Sequence, residues 1–350
     1  MNKKKKTGVI LLVIMCIVIG VSVGLIVDNI TTFKTDNHII ENIIRDQANK
    51  REGKLRKSDL DKIVKIDCTI EEDEAGYLYL FKNLEELTIR GTSGYSNLDF
   101  LEDNKKLKKL NIILRDGRVE NIDGLKKLEN LEELSFGNTD VENIDSISNL
   151  INLKKLSIIP KDGRIKNIDG LKKLENLEEL SFGNTDVENI DSISNLINLK
   201  KLIIICSNIK DWSGINKLTN LEYLEIEISE LNDKVIKELI GDFKKLKILG
   251  LSSNNIKDIS SLSNLKNLDT LWLDNNKIEN ISPLKNLSQL KKLRISGNKI
   301  ENIDSLMEMK DLKELWLYNN LIEDEEKLKI LQERIYKNNP NTSQNRFMWK

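Results

Sequence analysis

Residues 268–281 read Leu-Asp-Thr-Leu-Trp-Leu-Asp-Asn-Asn-Lys-Ile-Glu-Asn-Ile, and this stretch decides the fold of the chain. Leu271 and Leu273 are separated by one residue, which predicts a short strand with one buried face. The pattern Leu-x-x-Leu-x-Leu, in which Ile or Phe sometimes replaces Leu, recurs along the chain. Its copies begin at Leu84, Leu107, Leu131, Leu153, Leu177, Leu199, Leu221, Leu246, Leu268, Leu290 and Leu312, with a degenerate copy at Ile63.

A single unit of this size cannot bury its apolar face, whereas stacked units can, with their strands joined in one parallel sheet. Residues 121–156 recur unchanged as residues 167–202, an internal duplication. The ninth position of the later copies is asparagine, which we expect to hydrogen-bond backbone groups in the bend after each strand. This predicted ladder comprises Asn254, Asn276, Asn298 and Asn320. Thr92, Thr139 or Thr185 replaces it earlier, so we expect a weaker ladder there.

The pattern resembles the leucine-rich repeat family in its 22-residue form, over about residues 60–325. Residues 33–62 resemble the helical N-terminal cap of bacterial internalin-like surface proteins. The resemblance implies an α/β solenoid, a horseshoe with a parallel concave sheet and helical caps at both ends. It also implies protein–protein recognition outside the cell, on the concave face. Neither an immunoglobulin-like module nor a cell-wall sorting motif follows the repeats in this sequence, and no particular receptor is implied.

The repeats divide the rest of the chain. We predict a helical N-terminal cap over 33–62, about twelve repeats over 63–323, a capping helix over 324–337 and a frayed tail over 338–350. The capping helix is amphipathic, with Leu328, Leu331 and Ile335 on one face. The longer copy at Leu221 predicts a full helix from about Asp233 to Phe243.

The first 27 residues have a different composition. Four lysines at positions 3–6 precede an uncharged run from Gly8 to Val27, which as a helix spans roughly 30 Å. The positive-inside rule then predicts a cytoplasmic basic stub over 1–7, a transmembrane signal-anchor helix over 8–27 and exported repeats. The alternative is a signal peptide cleaved after residue 24, since Ser22 and Gly24 are small residues at the right spacing. The protein would then be secreted instead of anchored in the cell membrane.

Charge and composition restrict the function. The chain has 55 basic and 56 acidic residues, and the four lysines near the N-terminus leave the remainder with 51 against 56, a net charge of −5. This balance disfavours nucleic acid as a partner. His38 is the single histidine, which disfavours a catalytic triad. Three cysteines are too few for a disulfide framework. The acidic runs 71–74 and 323–326 lack the ligand spacing of a calcium-binding loop. We therefore expect no catalytic residues, no metal, no cofactor and no small-molecule substrate.

The second position of each repeat alternates in sign, beginning with Glu85, Lys108, Glu132 and Lys154, and the third position repeats this in part. Neighbouring strands lie about 4.8 Å apart, so opposite charges face each other. We interpret these residues as a solvated ladder that sets the register of the repeats.

The fifth and seventh positions are predicted to line the concave face. In the N-terminal half they are small or aliphatic, with Ile113 and Ile159 among them. In the C-terminal half they become aromatic and charged, which favours a partner-binding site. Its predicted residues are Tyr223, Glu225, Glu227, Trp272, Asp274, Arg294, Trp316 and Tyr318.

Trp272 and Trp316 should lie roughly 10 Å apart with Arg294 between them, and Gly250 and Ser252 should leave a shallow notch beside Trp272. The alternative is that Trp272, Arg294 and Trp316 stack on one another for stability alone. Trp212 falls at an inward position and is expected in the core.

Two functions fit this organisation. The first is an exported, membrane-anchored protein for recognition or adhesion, with a protein ligand on its concave face. The second is a structural or regulatory scaffold of a membrane complex in the cell envelope, in which residues 8–27 pair with another span.

Overall fold

The computed structural model describes residues 32–160, 164–240, 243–338 and 347–349. These residues form one 13-stranded sheet in which the strands follow chain order and every neighbouring pair is parallel. The strands are β1 Lys65–Thr69, β2 Glu86–Gly91, β3 Lys109–Leu114, β4 Glu133–Gly137, β5 Lys155–Ile159, β6 Glu179–Thr185, β7 Lys201–Ser207, β8 Tyr223–Glu227, β9 Ile248–Gly250, β10 Thr270–Trp272, β11 Lys292–Arg294, β12 Glu314–Trp316 and β13 Phe347–Met348.

Short helices carry the chain back between strands. The α-helices are α1 His38–Gln47, α2 Lys57–Leu60, α3 Glu72–Ala75, α4 Asp233–Leu239, α5 Asp304–Glu308 and α6 Glu325–Asn338. The 3₁₀ turns are Gly76–Leu80, Asp99–Leu101, Asp123–Lys127, Asp145–Ile147, Asp169–Lys173, Asp191–Ile193, Ser213–Lys217, Ser260–Asn264 and Ser282–Asn286.

One continuous hydrophobic core runs the length of the solenoid. Leucines and isoleucines of the strands, such as Leu271 and Leu273, are fully buried together with those of the 3₁₀ turns, such as Leu284. Trp212 also lies in this core, as its inward position predicts. The sheet therefore has one face against the core and an opposite face, which we call the open face.

The N-terminal cap is helical but consists of two helices. Asn37 caps α1 through its Oδ1, which accepts a hydrogen bond from the Ile40 backbone N–H at 2.9 Å. Ile40 and Ile44 are buried against the core. The buried carboxylate of Asp59 in α2 lies 2.9 Å from Lys50 Nζ, and so it ties the segment just after α1 to α2.

Asp59 also lies 3.2 Å from Lys62 Nζ and accepts a hydrogen bond from the Arg56 backbone N–H. The hydrogen bond from Lys50 is the main cause that lowers the pKa of Asp59 to about 2, although burial opposes it.

The C-terminal end of the solenoid is closed by α6, whose Leu328, Leu331 and Ile335 are buried as the amphipathic pattern predicts. The expectation of a frayed tail is wrong at Phe347–Met348, because these residues pair in parallel with β12. The Leu317 N–H donates to the Met348 carbonyl at 2.8 Å, and Phe347 is buried. The tail strand thus covers backbone groups that an edge strand would leave unpaired.

Other expectations need correction or fall outside the described segments. Helix α4 ends at Leu239, earlier than the predicted Phe243. The acidic run 71–74 forms the N-cap and first residues of α3, not an exposed bend. The predicted stub over 1–7 and membrane span over 8–27 lie outside the described residues. Among the helices that the structure describes, none is long and apolar enough to cross a membrane.

The ninth-position asparagines bond to the backbone of neighbouring repeats. Asn276 Nδ2 donates to the carbonyls of Leu251 at 2.9 Å and Leu273 at 3.1 Å, and its Oδ1 accepts from the Ile256 N–H at 3.1 Å. The equivalent bonds recur at Asn254, Asn298 and Asn320. Each side chain therefore ties two successive repeats together.

Candidate functional site

Strand register orders the side chains of the open face into rows that cross the sheet. In the fifth-position row Trp272 lies beside Arg294, and Arg294 beside Trp316. In the seventh-position row Gly137 lies beside Ile159, and Gly183 beside Ile205. The open face is thus divided between an aromatic and charged C-terminal half and an aliphatic N-terminal half.

The C-terminal half contains a connected group, the aromatic cluster, formed by Tyr223, Trp272, Arg294 and Trp316. The Arg294 guanidinium carbon lies 4.3 Å from the centroid of the Trp316 ring, within cation–π range. The rings of Tyr223 and Trp272 meet edge to face, with centroids 6.2 Å apart. All four side chains are half-buried. Of the three side chains in the predicted stack, Arg294 and Trp316 are therefore in contact.

The structure corrects the expectation that Asp274 is exposed, because only 5% of this residue is accessible. Its Oδ1 accepts a hydrogen bond from the Ser296 backbone N–H at 2.8 Å, and its Oδ2 lies 2.9 Å from Arg294 Nε. Asp274 therefore positions Arg294 from below, and Arg294, not Asp274, is presented at the surface.

The predicted notch at Gly250 is also wrong, because neighbouring side chains fill it. A Cβ atom added at Gly250 would lie 3.0 Å from Trp272 Cε3 and 3.0 Å from Glu225 Cγ. The Trp272 ring thus rests against the glycine backbone, which explains why this tryptophan is only half-accessible. Glycine permits this approach because it has no side chain.

An acidic corner adjoins the cluster on β8. The Tyr223 hydroxyl donates to the Glu225 carboxylate, and Lys201 Nζ lies 4.8 Å from the Tyr223 ring centroid. Burial, and then the charge of Glu225, raise the pKa of Glu227. Burial, followed by the Glu225 hydrogen bond, raises the pKa of Tyr223. A basic group of a partner would be attracted to this corner.

Tyr318 lies two residues beyond Trp316 in the chain and is half-buried. The structure thus brings Tyr223 into contact with Glu225 and Trp272, and Arg294 into contact with Trp316, while Trp272 and Arg294 are neighbours across two strands. Glu227 lies close enough to this group for the charge of Glu225 to raise its pKa and that of Arg294 to lower it.

The N-terminal half of the open face carries a feature for which sequence reasoning predicted no role. Ile113 and Ile159 are 42% and 37% exposed, and Ile205 is half-buried. We call these three residues the isoleucine row. The signal was present in the sequence as an alternation of isoleucine and glycine at the seventh position of successive repeats.

The alternating charges at the second and third positions form ion pairs within the chain, and the two positions pair in opposite directions along the sheet. At the second position five lysines pair with the acid of the preceding repeat at 2.6–2.8 Å, as in Lys154 with Glu132. At the third position the lysine pairs with the following strand, as in Lys155 with Glu179 at 2.9 Å. The two rows together link successive strands, which supports a role in register.

A second asparagine ladder lies one residue before the first leucine of seven repeats, and sequence reasoning missed it. Each Nδ2 donates to a carbonyl of the preceding repeat at 2.7–2.9 Å. The members are Asn83, Asn130, Asn152, Asn176, Asn198, Asn220 and Asn267. Most of them line a groove of about 970 Å³ with the charges of the second position. This polar rim is thus largely engaged in contacts between repeats.

Among the described residues, no group of three His, Cys, Asp or Glu side chains is placed to hold a metal ion. Cys68 is half-buried, and burial raises the pKa of its thiol to about 11, which keeps it protonated and unreactive at neutral pH.

Comparison with known proteins agrees with the repeat architecture. A model described as "Leucine-rich repeat region" matches residues 78–259, and a two-copy leucine-rich repeat model matches 244–286 and 288–329. No curated protein matches this sequence.

Solved structures share the fold. An internalin (inlF) from Listeria monocytogenes is 24% identical with a TM-score of 0.73, and the match covers 92% of either chain. The functional domain of InlJ from the same organism is 17% identical with a TM-score of 0.62, covering 84% of this chain and 70% of that one. TLR13, solved as a complex with ssRNA13, is 20% identical with a TM-score of 0.58, covering 75% and 45%.

Proposed function

Because this chain belongs to the leucine-rich repeat family, we propose that it is a recognition protein that binds a protein partner on the open face of its sheet. The observation that carries this proposal is the set of apolar and aromatic side chains on that face. Ile113 and Ile159 are exposed, and Trp272 and Trp316 are half-accessible. Such side chains on a soluble surface mark contact sites for other proteins.

The C-terminal half supplies the proposed anchors of the interface. Tryptophan, tyrosine and arginine are the side chains that most often dominate binding energy. The contacts of Arg294 with Trp316 and Asp274 hold the guanidinium in place before a partner arrives, which lowers the entropy cost of binding. Trp272, Arg294, Trp316 and Tyr318 would provide contact area, and Tyr223, Glu225 and Glu227 would receive a basic group.

A protein is a better partner for this face than a nucleic acid. The TLR13 structure is a complex with single-stranded RNA. Nucleic-acid binding depends on neutralising phosphates with lysine and arginine. In this chain the part beyond residue 27 has a net charge of −5, and the corner of Glu225 and Glu227 would repel phosphate. We therefore propose binding of a protein, without catalysis.

We further propose that the repeats are exported. The support is the lysine cluster at residues 3–6 followed by the uncharged run 8–27, which together are typical of a signal-anchor or signal peptide. The protein would lie on the outer side of the cell membrane, or be secreted if residues 1–24 are removed.

Affinity capture tests the proposed function. Residues 28–350 are immobilised and exposed to envelope and surface proteins, with the Trp272→Ala/Trp316→Ala double variant as the matched control. We expect the native fragment to retain a protein that the double variant loses. If only the full chain retains a partner, the alternative of a membrane scaffold that uses residues 8–27 replaces our proposal. Substrate turnover by the fragment would contradict it.

A further inference from the structure

The isoleucine row has a regular spacing. Ile113 lies on β3, Ile159 on β5 and Ile205 on β7, so two strands separate each from the next. Neighbouring strands are about 4.8 Å apart, which places the isoleucines roughly 9.6 Å from one another. The three isoleucines therefore form evenly spaced apolar ridges across the N-terminal half of the open face.

Glycines separate these ridges. A Cβ atom at Gly137 would lie 2.8 Å from the Ile159 carbonyl oxygen, and one at Gly183 would lie 2.4 Å from the Ile205 carbonyl oxygen. The intervening strands thus have no side chain at this position, and the backbone of the next strand lies close to each glycine. The isoleucines are therefore the side chains that project in this row, and a partner with apolar side chains at the same interval could pack against all three.

The interval discriminates between backbone conformations of a bound segment. Polyproline II has three residues per turn and a rise of about 3.1 Å per residue, so side chains on one side of the helix recur about every 9.3 Å. In a β-strand the side chains on one face recur every two residues, roughly 6.7 Å, so they would not align with the middle isoleucine. An α-helix returns to one face after seven residues, about 10.5 Å, and drifts out of step.

The residues beside the row suit the same conformation. Polyproline II has no internal hydrogen bonds, so its carbonyls need donors from elsewhere. The fifth-position hydroxyls of Ser135, Ser157 and Ser181 lie two residues before the seventh-position row on successive strands. They supply donors along the path of the segment.

Two carboxylates lie at one end of the isoleucine row. Glu227 lies directly beside Ile205 across β7 and β8, and Glu225 is on the same strand. Both carboxylates are half-buried, and neither forms an ion pair with another of the described residues. A basic side chain just beyond the third apolar residue of a bound segment would meet them.

We infer that the isoleucine row binds a polyproline II segment of a partner protein, with an apolar residue at every third position followed by a basic residue. This inference rests on the proposed function, since it names the kind of partner segment that the open face accepts. It assigns the apolar residues of this segment to the isoleucine row of the N-terminal half and its basic residue to the acidic corner on β8.

Synthetic peptides test the inference on the full chain in detergent. The probe is Leu-Pro-Pro-Leu-Pro-Pro-Leu-Pro-Arg with a fluorescent label, and the control is Leu-Pro-Leu-Pro-Leu-Pro-Pro-Pro-Arg, which has the same composition but leucine at every second position. We expect the probe to bind at least about tenfold more tightly, because only its three leucines have the spacing that lets each one contact an isoleucine of the row. Replacement of its arginine by glutamine should weaken binding severalfold.

Variants locate the site. Ile113→Ser/Ile159→Ser should weaken probe binding at least about tenfold, and Glu225→Gln/Glu227→Gln should abolish the preference for arginine over glutamine. The matched control is Ile151→Ser/Ile197→Ser. These isoleucines are 53% and 56% exposed but lie on the polar rim, off the open face. That variant should retain probe affinity within about twofold.

The inference is overturned if neither peptide binds, if both bind equally, or if the rim variant loses as much affinity as the row variant. The proposed function fails separately. Capture of a partner protein that depends on Trp272 and Trp316, with no binding of the probe, would leave the proposed function standing and remove only the inference.

Discussion

The guanidinium of Arg294 lies between two different neighbours, and its carbon is 4.3 Å from the centroid of the Trp316 ring. Its Nε lies 2.9 Å from the buried carboxylate of Asp274 in the preceding repeat, two residues beyond the end of β10. Arg294 is thus held from one side by charge and from the other by an aromatic ring. Arg294 is therefore held in place before any partner binds.

Replacement of Trp272 and Trp316 by alanine should weaken capture of the partner by about 2 kcal/mol or more, because anchors of this kind dominate interface energy. Unfolding by urea should remain cooperative. The measurement is binding of residues 28–350 to the captured protein. If capture survives in this variant and is lost in Ile113→Ser/Ile159→Ser, the principal site lies in the N-terminal half instead.

Replacement of Arg294 by alanine should destabilise the protein by roughly 1–3 kcal/mol, since it leaves the buried Asp274 carboxylate without its cation. Asp274→Asn should cost less, because the amide oxygen can still accept from the Ser296 N–H. Urea titration measures both. The double variant Arg294→Ala/Asp274→Asn should recover part of the loss, and strict additivity would show that the two side chains are not coupled.

The stability of the N-terminal cap should depend on pH through Asp59. Its pKa is lowered to about 2 in the folded chain, mainly by the hydrogen bond from Lys50, whereas an ordinary aspartate titrates near 3.8. A lowered pKa stabilises the fold above the unfolded value, and this contribution of roughly 2 kcal/mol is lost as pH falls from about 4 to 2. Hydrogen exchange of α1 measures the effect.

Asp59→Asn serves as the control for that titration. The variant should be less stable at neutral pH and should lack this part of the acid-dependent loss. An unchanged pH profile between 4 and 2 in the variant would show that other carboxylates cause the dependence.

Replacement of Asn276 by alanine should cost about 3 kcal/mol, because it leaves the buried Ile256 N–H and two carbonyls without this partner. Asn267→Ala is the matched control from the second ladder. Its single bond to the Lys244 carbonyl is exposed, so water can replace the amide and the loss should be much smaller. Equal losses in thermal unfolding would contradict the difference in burial.

Topology can be tested on intact cells. External protease should digest the repeats, and a signal-anchor would leave a protected fragment that carries lysines 3–6. Detection with antibodies against each end distinguishes the two parts. Repeats that stay protected when the cell wall is permeable would contradict export, and repeats in the medium without the N-terminus would favour a cleaved signal peptide.

Much of the architecture follows from spacing alone. Leu-x-x-Leu-x-Leu at intervals of 21–25 residues dictates one strand per repeat and a parallel sheet, since no other arrangement buries every leucine. The same reasoning places Leu328, Leu331 and Ile335 on the inner face of the last helix. It also places Trp272 and Trp316 two strands apart with Arg294 between them.

The candidate site was less predictable. Period-two alternation assigns Asp274 to the open face, but it cannot tell that the Arg294 side chain covers it. The pattern leaves a gap at Gly250, but it does not reveal that the Trp272 ring leans into it. Both outcomes depend on side-chain conformations, and local sequence leaves several of these open.

The sequence by itself therefore determined the repeat, the order of the strands and the face to which each side chain points, because burial of apolar residues at a fixed period admits one solution. Only the tertiary structure decided which neighbours each side chain contacts. Lys154 reaches back to Glu132 while Lys155 reaches forward to Glu179, and Phe347 returns to the edge of β12. These contacts join residues more than 20 positions apart, and their geometry exists only once the repeats are stacked.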